Sequence, residues 1–221
     1  YPEFRGSALT LIGRHLGRLI AGDADVDIEG GALTEPSSVT GGSSLNLSGG
    51  RIEAFLELED SVMHITGGTI AAPVDAVNSI VDIHGGRLED AVLDVFEGTV
   101  LNVFGGHFGD DFDAFAGSRV NFFGPEFFLD GVPLDDLMRG ETRIIVERGG
   151  VLSGRLTDGR PFDLELRPVQ IGFRDSVSPD AVVTVTLVPE PATASMIALA
   201  GWLLCSGAGR VAPLCRRLPG R

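Results

Sequence analysis

The sequence predicts an all-β chain wound as a parallel β-helix. This β-solenoid has about seven rungs of 17–20 residues, then a C-terminal β cap and one C-terminal hydrophobic helix. Three observations predict it: a glycine pair at near-constant spacing, a short alternating strand before each pair, and a turn former with a small residue at a fixed offset ahead of the strand. Gly-Gly stands at 30–31, 49–50, 67–68, 85–86 and 105–106, with degenerate copies at Gly13-Arg14 and Gly124-Pro125. Successive first glycines are 17, 19, 18, 18, 20 and 19 residues apart.

Each element has a physical reason. Seven residues before the first glycine stands a turn former: Gly6, Asp23, Gly42, Asp60, Asn78, Gly98 and Gly117. These types tolerate turn backbone. The next residue is small and mostly a hydroxyl: Ser7, Ala24, Ser43, Ser61, Ser79, Thr99 and Ser118. A hydroxyl there bonds locally and closes the turn. Then comes an alternating strand, as in Met63-His64-Ile65 or Leu101-Asn102-Val103, whose apolar side chains share one face. Leu47, Ile65, Ile83, Val103 and Phe122 hold a common offset two residues before the glycine and are the expected inward ladder. Glycine bends the chain where a Cβ would not fit. Three residues after the first glycine the side chain is always apolar: Leu16, Leu33, Ile52, Ile70, Leu88, Phe108 and Phe127. One coil cannot bury its own apolar face, and stacked coils can. A leucine-rich repeat would need a leucine-rich consensus with inward Asn or Cys, whereas these asparagines alternate with apolar residues and face out. An antiparallel sandwich would not need so constant a period.

The expected organisation is residues 1–130 as solenoid and 131–187 as a β cap or irregular rungs, with 188–221 as a separate tail. The repeat fades after Asp130, and the runs at 142–146, 162–166 and 182–187 are strand-like and separated by turn signals. An open terminal rung would expose strand edges, so such an end is expected. The chain starts at Tyr1 with a repeat almost at once, which points to a truncated start.

Charge separates body from tail. The net charge is −14, but the tail holds one acid, Glu190, against Arg210, Arg216, Arg217 and Arg221. That leaves 30 acids and 13 arginines in residues 1–187, a net −17. An acidic body excludes a phosphate-binding footprint, so no nucleic-acid partner is expected. Both cysteines, Cys205 and Cys215, lie in the tail, and the body therefore has no disulfide framework.

The tail opens with Val188-Pro189-Glu190-Pro191, whose prolines cannot continue a ladder. From 192 to 209 run 18 uncharged residues, at the short end of a bilayer span. Arg210 and the Arg216-Arg217 pair follow, the basic stop that places a C-terminus on the cytoplasmic side. This order resembles the PEP-CTERM sorting signal of Gram-negative bacteria, which has a Val-Pro-Glu-Pro box, one hydrophobic helix and an arginine-rich end. The match covers residues 188–221, and Arg210 and Gly207-Ala208-Gly209 are departures from a continuous helix. The resemblance implies export, recognition of the box by an exosortase, transient residence in the inner membrane through a helix at about 192–209, removal of that helix, and a place in the cell envelope or an exopolysaccharide matrix. The repeat body also looks like the β-solenoid bodies that precede such tails in some environmental bacteria.

The body offers little chemistry. Enzymes on parallel β-helices gather acids on one face for Ca²⁺ or paired-carboxylate hydrolysis. The candidates are Asp110, Asp111 and Asp113, with Asp82 and Asp94 near in rung order, and they read better as a solvated loop than as a site. His15, His64, His84 and His107 share no metal spacing. No hydrolase elbow, phosphate loop or dinucleotide fingerprint occurs, so no enzyme, metal or cofactor is expected. One row remains, the outward centre of each strand: Thr10, Asp27, Asn46, His64, Asp82, Asn102 and Asn121. Such a row is what half-buried strands need, and it is also what binds sugar hydroxyls. The expected function is an exported, non-catalytic surface or matrix protein. The alternative is a polysaccharide-binding or polysaccharide-degrading β-helix delivered by the same tail.

Overall fold

Strands, glycine corners and hydroxyl corners alternate along the chain, and the strands stack into three parallel faces. The computed structural model describes residues 3–89, 93–107, 112–169 and 175–189. The first face takes Glu3–Arg5, Ile20–Gly22, Ser37–Thr40, Leu56–Glu59, Val74–Val77, Leu93–Val95, Phe112–Ala114 and Ser176–Val177. The second takes Ala8–Leu11, Asp25–Ile28, Ser44–Leu47, Val62–Ile65, Ile80–Ile83, Val100–Val103, Arg119–Gly124 and Val182–Leu187. The third takes His15–Leu16, Ala32–Leu33, Arg51–Ile52, Thr69–Ile70 and Arg87–Leu88, and His107 adds a lone parallel bridge to Arg87. The protein is a β-solenoid of about six turns.

The corner between first and second faces follows from its residue types. The turn formers Gly6, Asp23, Gly42, Asp60, Asn78, Gly98 and Gly117 all have positive φ, between 46° and 84°. Asp, Asn and Gly enter that region at least cost. The hydroxyl that follows is buried in five successive rungs, from Ser43 to Ser118. Its local bond closes the corner, as from Ser79 Oγ to Val77 O at 2.8 Å. It also accepts an amide from the rung before, from Ala24 N–H to Ser43 Oγ at 3.1 Å and from Ser61 N–H to Ser79 Oγ at 3.1 Å. The amide left over by the turn is thus satisfied inside the stack.

The glycine corner needs both its glycines, for different reasons. A Cβ on Gly67 would lie 2.2 Å from Ser48 O of the preceding rung, and Gly68 has φ 74°. The first position is closed by the neighbouring backbone and the second by the αL conformation. Between corners, Leu11, Ile28, Leu47, Ile65, Ile83, Val103, Phe122 and Val185 stand in register as one inward ladder. All of them are buried. On the third face Leu33, Ile52, Ile70 and Leu88 form a second buried ladder at the offset read from the sequence.

The expected count of about seven rungs exceeds the turns found. The seventh copy, around Ser118 to Gly124, supplies first-face and second-face strands but no third side. Phe127 lies instead in Glu126–Leu129, part of an antiparallel sheet with Val132–Pro133, Val151–Arg155 and Pro161–Glu165. Pro125 replaces the second glycine, and its ring fixes φ near −65°, so the corner cannot repeat. The hairpin lies over it: a Cβ on Gly124 would meet Arg155 O at 1.9 Å. The chain then returns, and Ser176–Val177 and Val182–Leu187 rejoin the two faces in parallel. Thr142–Ile145 closes the second face as an antiparallel edge strand. Arg148 holds this return: its guanidinium donates to Ile145 O, Ala181 O and Ser178 O at 3.0, 2.7 and 3.3 Å. The described residues contain no helix.

Burying Ile83 contributes roughly 1.5–3 kcal/mol, and an unpaired carboxylate in its place costs several kcal/mol. Ile83→Asp is therefore expected to abolish the cooperative thermal transition followed by far-UV circular dichroism. Gly67→Ala is expected to cost roughly 1–3 kcal/mol, because Ser48 O has to move. A denaturant midpoint equal to wild type for Gly67→Ala would show that the glycine corner tolerates a Cβ.

Candidate functional site

Successive outward side chains in a parallel stack recur at about 4.8 Å, so any polar type repeated at one position becomes a row. The second face carries the row read from the sequence. Thr10, Asp27, Asn46, His64, Asp82, Asn102 and Asn121 are Cα partners in successive rungs, and Thr184 extends the row. Its members bond to one another. Asn46 Nδ2 donates to Asp27 Oδ1 at 2.8 Å. His64 Nδ1 stands 3.1 Å from Asp82 Oδ2, and Asn102 Nδ2 donates to Asp82 Oδ1 at 2.7 Å. Asn121 Nδ2 donates to Asn102 Oδ1, and Thr184 Oγ1 to Asn121 Oδ1, each at 2.8 Å. The ladder takes one of the two N–H donors of each asparagine, so the row keeps capacity toward an outside acceptor.

Two residues further along the chain from Asp82, Asn102 and Asn121, the rings of His84, Phe104 and Phe123 form a stack with centroids 4.4 and 4.3 Å apart. Phe96 and Phe115 stack likewise at 4.5 Å, one rung apart. Rings piled on one another spend their faces internally, which favours a stabilising column over a platform for sugar rings. The four histidines stay apart. His15 and His107 lie at the third face, His64 in the polar row and His84 on the stack. Among the described residues no three His, Cys, Asp or Glu side chains gather as a metal site.

The acids grouped by sequence order separate in space. Asp82 belongs to the second face, whereas Asp94 and Asp113 are Cα partners on the first. Asp110 and Asp111 lie outside the described residues. Sequence reasoning missed that Glu57 and Asp75 continue this first-face row, giving Glu57, Asp75, Asp94 and Asp113 in consecutive rungs. The signal was present in the period, but the first-face strands were not aligned on it. Burial deepens along the row, from exposed Glu57 to fully buried Asp113, whose carboxylate accepts the Ser176 hydroxyl. Buried Asp175 closes the same end, accepting Phe112 N–H at 3.0 Å and Glu165 N–H at 3.1 Å. Burial, then the charge of Glu57, pushes the Asp75 carboxyl above the usual aspartate range, and a hydrogen bond with Asp94 opposes this. Like charges thus repeat along this row, and Asp75 carries the effect.

Of the residues expected to form a sorting motif, Val188 and Pro189 are described. Val188 N–H donates to Gly124 O at 2.9 Å, one step beyond the last strand. Glu190, Pro191, Arg210, Arg216, Arg217, Arg221 and the helix expected at 192–209 lie outside the described residues. Comparison of the chain with family models, with curated proteins and with solved structures finds no match in any of the three.

The raised pKa of Asp75 has a definite linkage. The native state holds the Asp75 proton more tightly than the unfolded chain, so stability falls as pH rises from the ordinary aspartate value through the raised one. The penalty is present above the raised value and absent in acid. Asp75 is only partly buried and solvent screens its charge, so Asp75→Asn is expected to stabilise the protein at neutral pH by no more than roughly 0.5 kcal/mol. The gain should vanish near about pH 3, where the wild-type carboxyl is protonated in both states. Melting curves of the two proteins across this range check it, and a variant less stable than wild type at neutral pH would refute the penalty.

Proposed function

We propose that this is an exported, non-catalytic cell-surface or extracellular-matrix protein, delivered by a PEP-CTERM-type tail and processed by an exosortase. The observation that carries the reading is the order of parts after the last strand: Val188-Pro189-Glu190-Pro191, 18 uncharged residues, then arginines. The position of the box supports it. Val182–Leu187 is the last strand of the second face, and the box begins directly after it. A membrane-embedded enzyme would reach an extended proline-bounded stretch there without unfolding a rung. The uncharged run is short, and its end carries Gly207, Gly209 and Arg210, which suits a temporary hold better than a permanent anchor. Arg216 and Arg217 would stop translocation. For the body, the separation of the candidate acids onto two faces and the internal bonding of the polar row support a scaffold over a catalyst.

The second reading, polysaccharide binding or degradation, draws on the amide and carboxylate row at strand spacing. Turnover of a polyuronate would establish it and end the non-catalytic reading.

Mass spectrometry of the mature protein from its own host tests delivery. The expected chain ends near Pro189-Glu190-Pro191, and replacing these three residues by alanine is expected to leave the tail attached and the protein in the inner membrane. A mature chain that keeps Cys205 and Arg221 would instead establish a plain C-terminal anchor.

A further inference from the structure

The second-face sheet ends in an edge strand whose sequence is complementary to itself, and we propose that two copies of this chain pair through it, antiparallel about a two-fold axis at Ile145. Thr142–Ile145 is the outermost member of the nine-stranded sheet, bonded on one side to Val182–Leu187. Leu187 N–H donates to Glu141 O, so by antiparallel alternation Arg143 and Ile145 turn their amides toward that strand, while the Glu141 amide donates to Met138 O. Thr142 and Ile144 then turn theirs outward, where no strand pairs with them among the described residues, and an open edge of this kind is a template for another strand.

The side chains select the occupant. Ile144 and Val146 are 58% and 73% exposed, while Ile145 between them is buried. A second copy centred on Ile145 sets Ile144 opposite the partner's Val146 and Val146 opposite the partner's Ile144. With the strand continued one residue past Ile145, Val146 becomes an outward-amide position like Ile144, and each pair exchanges two backbone hydrogen bonds. The four exposed apolar side chains then form one stripe, which removes their surface from water. In the same register Arg143 faces the partner's Glu147, and Glu147 the partner's Arg143, giving opposite charges across both flanks. Arg143 Nη1 already lies 2.7 Å from Asp136 Oδ1, so the partner's Glu147 would join an existing ion pair. Shifting the register by one residue sets Arg143 against Val146 or Arg148 and loses the charge match. A C2 contact asks for a patch that complements itself, and this strand is one.

Sedimentation of the full chain in a detergent that disperses the tail is expected to give the dimer mass. Ile144→Lys, at an exposed position, is expected to give the monomer mass with unchanged circular dichroism. A monomeric wild type at about 100 μM, or a dimer that persists in Ile144→Lys, would overturn the proposal, the second by placing the contact elsewhere. A disulfide test reads the register separately. Oxidising an equal mixture of Ile144→Cys and Val146→Cys chains, both in a Cys205→Ser, Cys215→Ser background, is expected to link residue 144 to residue 146 between copies. Cross-links no more frequent than in either chain alone would exclude this register and with it the proposal.

Discussion

Close approach of consecutive backbones at the glycine corner is the constraint on which the rest of the structure depends. Gly49, Gly67 and Gly85 lie so near a carbonyl of the preceding rung that a Cβ would fall 2.2 to 2.6 Å from it. That proximity keeps the strands on either side at hydrogen-bonding distance over five consecutive rungs of the third face. Once the corner is set, each strand must repeat the register of the one before, and every position becomes a column. The buried ladders, the hydroxyl corner, the polar row, the acid row and the ring stacks all follow from this periodicity.

Columns repeat an advantage and a cost equally. Leu47 on Ile65 on Ile83 buries apolar surface at every step. Asn102 on Asp82 and Asn121 on Asn102 join a donor to an acceptor at two successive steps. Glu57, Asp75, Asp94 and Asp113 instead repeat like charges, and the row is held by the favourable columns around it. Its buried end is anchored where the chain returns, by the hydroxyl of Ser176 on Asp113.

The same corner explains where the solenoid stops. Pro125 takes the place of a glycine with positive φ, so the third face ends and the chain leaves into the antiparallel hairpins. The tip at 157–160 then covers the last glycine pair. Asp158 Oδ2 accepts Gly106 N–H at 2.8 Å, and Thr157 N–H donates to Phe123 O at 3.1 Å. Backbone groups that another rung would have bonded are met by this loop instead.

The period, both corners and the inward ladders were legible in the sequence, because each rests on local chemistry: αL-tolerant residues, a hydroxyl, a glycine pair, an alternating strand. The second-face polar row was legible for the same reason, since its offset from the glycine is constant. The first-face acid row was not, although Glu57, Asp75 and Asp113 stand eight residues after the first glycine and Asp94 nine, because the repeat was aligned on the second-face strand alone. Nor was the return of residues 176–187 to both parallel faces, whose partners lie about 63 residues away. Local conformational preference determined the rung. Tertiary pairing alone decided where the stack ends, which strand becomes its edge and which charges must share a column, because those depend on contacts between residues that no local pattern links.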